Sequence, residues 1–154
     1  MERRYERQMN PRSTVSIFGH PVHAMLVPFV IAFYTGAFAA DLAYAGTGDP
    51  FWALSAMWLI GAGIVVSIFA ATIGFIDFVA EPAIRELTAA WWHLGGNVVM
   101  SLVSILDWVL RYEVGSEAGS SGYTWLSGLA FALLLFNGWK GGQLVYRHRV
   151  GVAD

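Results

Sequence analysis

The sequence predicts an all-α integral membrane protein, a four-helix up-down bundle with both termini in the cytoplasm. Three observations carry that reading. Of 154 residues, 56% are hydrophobic and 13% charged, where soluble domains carry roughly a quarter charged residues. The mean hydropathy is +0.55. Apolar runs close to the roughly 20 residues that a bilayer core demands occur four times between turn-rich breaks, and no internal repeat or soluble domain is visible between them.

A polar leader, residues 1–14, precedes a single membrane domain, 15–149, and a short tail, 150–154, follows it. Arg3-Arg4, an apolar run and the small residues Ala37–Ala40 imitate an export signal with its cleavage site. The apolar stretch from Val15 to about Ala40 is longer than a signal core, so a retained spanning helix is expected. The four spans run about Pro21–Tyr44, Pro50–Ala80, Ala89–Tyr112 and Tyr123–Tyr146. Asp49 caps the second with Pro50 in its first turn, Pro82 stops it, and Thr88 is placed to cap the third. The segment "EVGSEAGSSG", 113–122, is a polar loop that cannot span.

The nine basic residues fix the orientation. Arg3, Arg4, Arg7 and Arg12 precede span one, Arg85 lies between spans two and three, and Arg147 and Arg149 follow span four. Only Arg111 sits at the margin of an opposite loop. The positive-inside rule then places both termini in the cytoplasm, and the chain in the cytoplasmic (inner) membrane. Lys140, about two turns from the end of span four, is expected to snorkel to the inner headgroups.

A net charge of −2 offers no basic field for nucleic acid. The absence of cysteine excludes disulfides and thiolate ligands, leaving His, Asp, Glu and Met as ligands. No serine stands in a nucleophile-elbow setting, so a hydrolase is disfavoured.

On this topology all four histidines fall in one leaflet. His20 and His23 open span one, where Pro28 kinks the helix just beyond them; His93 lies one turn into span three, and His148 closes span four. Span two brings Asp77 and, one turn on, Glu81 to the same layer. Asn97, one turn beyond His93, is placed to orient that imidazole or to bond another helix. Histidines near an interface also act as amphipathic belt residues, as the adjacent Trp91, Trp92 and Tyr146 do. Belts form at both faces, however, and these imidazoles stand at one. Gly138 and Gly142 have the spacing of close helix packing; Gly95, Gly96, Gly141 and Gly142 would also leave room for a flat cofactor. Asp41 and Asp107, near the other face, read either as an ion entry or as interfacial residues bonded to backbone or to Arg111, and the second reading is favoured.

The motifs "GHPVHAMLVPF", "GFIDF", "WWHLGGN" and "GWKGGQLVYRHRVGV" together resemble the bacterial four-span membrane family known as domain of unknown function 2231. The resemblance covers nearly all of the chain after the leader and marks His20, His23, Asp77, His93, Asn97 and His148. It implies a four-helix fold and an association with redox proteins, since relatives are sometimes joined to Rieske-type iron–sulfur domains. Arg149 departs from it, because the family pattern has a glycine there.

Three functions follow as expectations. In the first, two histidines, His23 and His93 with His148 as substitute, ligate a b-type haem whose propionates pair with Arg85, Arg147 or Arg149. Within the same class, His20, His23, His93, His148 and Asp77 hold a transition-metal ion, zinc, iron or copper. In the second, the chain is an accessory subunit of a larger respiratory or dehydrogenase complex, or a homo-oligomer, with its histidines bonded among themselves. In the third, Asp41, Asp107, Asp77 and the histidines relay protons or cations, against which stands the long apolar stretch expected between the two layers.

Overall fold

The computed structural model describes residues 10, 11, 13–114 and 123–152. The leader arginines Arg3, Arg4, Arg7 and Arg12, and most of the 113–122 loop, lie outside them.

The chain enters through a two-stranded hairpin, β1 (Ser16–Ile17) and β2 (His20–Pro21), paired antiparallel. Its two-residue turn takes positive φ at both Phe18 (49°) and Gly19 (80°), as the tightest hairpins require. Phe18 stands 97% exposed at the tip. Helix α1 (Val22–Thr47) follows and ends on Gly48, whose left-handed φ of 69° lets its N–H reach back to the Tyr44 carbonyl at 2.7 Å, the usual glycine stop. Asp49 then accepts from the Phe51 amide at 3.0 Å and α2 (Pro50–Ala80) starts on Pro50, the capped start expected of that motif. Glu81 ends α2 and caps the short α3 (Pro82–Arg85) through the Ala83 amide.

Helix α4 (Thr88–Val114) begins at Thr88 itself, which is helical and not the preceding cap. Helix α5 (Thr124–Gly142) closes the bundle and runs on into a π-helical turn, Gln143–Arg147. Arg149 follows with φ 54°. That left-handed backbone costs an L-residue about 1–2 kcal/mol, so glycine would be favoured over arginine at this position.

Among the described residues, α1, α2 and α4 are long and apolar enough to cross a membrane. Helix α5 is shorter, and Asn137, Lys140 and its glycines lower its hydropathy. Each helix neighbours two others: α1 lies against α2 and α5, and α4 against α5 and α2. The pairs α1/α4 and α2/α5 therefore sit diagonally. Val30, Tyr34, Ala37, Ile60, Ala70, Met100 and Leu134 form the core. Large apolar residues such as Trp58, Phe69 and Leu102 face outward, as lipid contact permits.

Two polar assemblies tie the ends of the bundle. At one, the Arg111 guanidinium donates to both Asp41 oxygens at 2.7 Å and from Nε to Asp107 at 2.7 Å. Ser127 donates to Asp41 at 2.5 Å, and Arg111 reaches the Tyr123 carbonyl at 3.2 Å. All three charged side chains are buried, so Asp41 and Asp107 are partners of Arg111, as the favoured reading held. At the other end, Asp77 accepts from the Ser13 hydroxyl at 2.8 Å and from the Thr14 and Val15 amides at 2.6 and 3.1 Å. The C-terminal turn closes over the same place, with the Gly151 amide on the Pro11 carbonyl at 2.8 Å and Asn10 donating to the Val152 carbonyl.

Removing one partner from a buried ion pair costs about 3–5 kcal/mol, and losing one neutral hydrogen bond about 1 kcal/mol. Thermal unfolding in mild detergent is thus expected to show a severe loss for Arg111→Met and a modest one for Ser127→Ala. Arg149→Gly is expected to move the other way and raise stability by about 1 kcal/mol, by relieving the left-handed backbone.

A paired-imidazole candidate site

The site starts from two side chains on diagonal helices. His23, in the first turn of α1, and His93, one turn into α4, bring their rings to a centroid separation of 6.3 Å with planes perpendicular. Each ring is held by a backbone carbonyl of its hairpin neighbour. His23 Nδ1 lies 2.8 Å from the Ala70 oxygen on α2, and His93 Nδ1 lies 3.0 Å from the Asn137 oxygen on α5. A carbonyl only accepts, so Nδ1 carries the proton in both rings and a neutral imidazole keeps its lone pair on Nε2. Metal-ligating histidines are oriented by bonds of this kind.

Glycine makes both seats. A Cβ at Gly74, one turn beyond Ala70, would stand 2.9 Å from His23 Nδ1, and one at Gly141, one turn beyond Asn137, would stand 3.0 Å from His93 Cε1. The two halves of the chain therefore use the same device at the same register. The correspondence extends down the bundle. Residues of α1 and α4 that are 70 positions apart play matching parts: His23 with His93, Phe38 with Trp108, and Asp41 with Arg111. Ala70 and Asn137, Gly74 and Gly141, and Gly61 and Gly128 match on α2 and α5. Phe38 packs where a Cβ at Gly128 would go, and Trp108 where one at Gly61 would go. The bundle is an α1–α2 hairpin and an α4–α5 hairpin related by a pseudo-twofold axis, and the imidazole pair lies across it. This corrects the expectation of no internal repeat. The repeat is one of packing positions, with only His and Gly identical at the matched sites.

The remaining expected site residues go elsewhere. His20 precedes α1, exposed in β2, so it does not share a helical face with His23. Asp77 spends both oxygens on Ser13, Thr14 and Val15 and is a tether for the entering chain. Glu81 caps α3. Among the described residues no three His, Cys, Asp or Glu side chains come together in a way that could hold a metal ion, which leaves the five-ligand set of His20, His23, His93, His148 and Asp77 unassembled. Asn97 donates to the His93 backbone carbonyl at 2.6 Å, bonding the helix and not the ring. Arg85 donates to the Val79 carbonyl, and Arg149 is exposed. Arg147 and His148 line a separate cavity between α4 and α5. Of the glycines expected to leave room for a flat cofactor, two are filled and two, Gly95 and Gly142, are not in close contact. Gly141 is filled by His93, and at Gly96 a Cβ would fall 2.0 Å from Asn137 Oδ1, whereas Gly138 has nothing near it and makes no close helix contact within the chain.

One signal was open in the sequence and unread. On α4, His93, Asn97, Met100, Ser104, Asp107 and Arg111 follow alternate steps of four and three, the spacing of a single inward stripe. Met100, Ser104, Asp107 and Arg111 are buried. With Tyr34, Ser67 and Asn137, also buried, they set polar groups among the apolar core residues between the two ends, where an unbroken apolar stretch was expected.

The family model described as "Predicted membrane protein (DUF2231)" matches residues 19–154. No curated protein and no solved structure matches the chain.

The seats predict a sign reversal among glycines. Gly→Ala in a helix with open space adds roughly 0.5–1 kcal/mol, whereas forced overpacking costs about 1–3 kcal/mol. Gly138→Ala is expected to raise the unfolding temperature, and Gly74→Ala and Gly141→Ala to lower it. Equal behaviour of all three would remove the seats.

Proposed function

The chain belongs to the DUF2231 family of predicted membrane proteins, and from that membership together with the paired imidazoles we propose a small electron-transfer protein, or redox-associated subunit, of the bacterial cytoplasmic membrane. It spans the bilayer four times as an up-down bundle with both termini inside, and it holds one b-type haem through His23 and His93. The observation that carries this reading is the pair itself: two diagonal imidazoles, each with Nδ1 tied to a carbonyl and rings perpendicular at 6.3 Å.

Donor count favours haem over a bare ion. Zinc and similar ions take four protein or water ligands in closed sites, and only two imidazoles converge. Two suffice for a group that brings its own equatorial nitrogens. When bound, the haem iron would pass single electrons. The protein's part is to fix both rings through the Ala70 and Asn137 carbonyls and to surround them with the bundle. Four spans are supported by α5 continuing through the π-helical turn to Arg147, which lengthens it to match its neighbours. The inward orientation rests on the basic residues gathered at that end.

A visible absorption spectrum and elemental analysis of protein purified in mild detergent test the reading. A Soret band is expected, lost in His23→Ala and in His93→Ala and kept in His20→Ala and His148→Ala. Gly141→Ala is expected to weaken haem retention by about 10–100-fold, as loss of ligand orientation does. A preparation with stoichiometric zinc, iron or copper and no Soret band would replace the haem by an ion. One with neither signal, or with the band intact in both ligand variants, overturns the assignment.

A further inference from the structure

The cavity between the start of α4 and the end of α5 has a volume of about 440 Å³, and its lining includes Trp92, Lys140, Gln143, Arg147 and His148. Among the described residues Lys140, Arg147 and His148 make no side-chain hydrogen bond or ion pair; the Lys140 ammonium stands 5.7 Å from the Phe136 ring. Glu86, exposed, is the one carboxylate in the lining. Two fixed cations and an imidazole therefore face a cavity holding one carboxylate.

The pseudo-twofold axis supplies an internal control. The α2 positions matching Lys140, Gln143 and Arg147 are Ile73, Ile76 and Ala80. That end of α2 carries Asp77 and Glu81 instead, both bonded to the chain's own groups, so the scaffold builds the matching helix end without these basic groups. Their placement is also that of a membrane interface: Trp92 offers an amphipathic ring beside them, and the cavity lies at the bundle end that carries the chain termini. Basic pockets between spans at this depth hold the headgroups of anionic lipids.

We propose that this cavity binds the phosphate group of an anionic phospholipid, with Lys140 and Arg147 pairing its charge, Gln143 and His148 donating to its oxygens, and Trp92 flanking the glycerol. The site is separate from the imidazole pair and does not depend on a haem.

Native mass spectrometry of the full chain, released from detergent after titration with phosphatidylglycerol, phosphatidylethanolamine or phosphatidylcholine, tests it. Phosphatidylglycerol adducts are expected to survive activation that strips phosphatidylcholine. Each cation removed should weaken them about fivefold, in Lys140→Gln and further in Lys140→Gln/Arg147→Gln. Arg149→Gln, outside the lining, should leave them unchanged. Lys140→Gln alone keeps the test readable should the double variant fold poorly. Displacement of the lipid by millimolar inorganic phosphate would move the site to a soluble phosphate and overturn the lipid assignment; resistance to it supports the lipid. Equal retention of phosphatidylglycerol and phosphatidylcholine, or no effect of Lys140→Gln, overturns the proposal.

Discussion

A guanidinium sealed from water governs this bundle. Arg111 is fully buried, and its donors are taken up by Asp41, Asp107 and the Tyr123 carbonyl. A charge in such surroundings is tolerated only with its partners in place, so the register of α1, α4 and α5 is fixed together: a slide of any one helix strands an ion. With the far ends locked, the near ends are constrained as well. His23 stands 18 residues before Asp41 and His93 18 before Arg111, five helical turns in both cases. The ion cluster at one end thus sets the depth at which the two imidazoles meet at the other.

The pseudo-twofold axis explains why this is one chain. In a symmetric pair of identical hairpins every residue crossing the axis would meet its own copy, placing aspartate against aspartate or arginine against arginine. Covalent joining of two hairpins frees the matched positions to differ. Asp41 can oppose Arg111, and Phe38 and Trp108 can fill differently shaped gaps over Gly128 and Gly61. Where identity survives, at His23 and His93, at Gly74 and Gly141 and at Gly61 and Gly128, the same part is required twice: an imidazole, or room for a ring. The second helices diverge most at their ends, where Asp77 tethers the entering chain on one side and Lys140 and Arg147 line a cavity on the other.

The four long helices and their approximate limits were legible because they follow from local chemistry, whereas the short α3 and the entering hairpin were not. Gly48, Asp49 and Pro50 spell a stop, a cap and a start, and Pro82 a break, whatever the rest of the chain does. The approach of His23 to His93 was legible too, through depth along helices expected to alternate in direction. What depth could not give was facing. His20 shares the layer but sits in a hairpin outside the helix, and His148 shares it but lies beyond the π-helical turn. Asp77 was misread because its partners are the Thr14 and Val15 amides, and backbone donors leave no mark in a list of side chains. The same blindness hid the Ala70 and Asn137 carbonyls that hold the imidazoles. The correspondence between the two hairpins escaped notice because it lies in packing positions at fixed offsets and in few residue identities.

The two ends differ in how completely their polar groups are satisfied. At the Arg111 end all three charged side chains are bonded. Between it and the imidazoles, the buried Tyr34 hydroxyl has Ser104 and Ser67 as partners, whereas the Asn137 Oδ1 is buried and closes no hydrogen bond among the described residues. Such an atom costs about 1–3 kcal/mol, and an apolar residue of similar size would remove that cost. Asn137 carries it while its own carbonyl holds His93. The unpartnered polar atom therefore stands beside the imidazole pair, and a closed ionic clamp at the opposite end keeps the bundle folded around it.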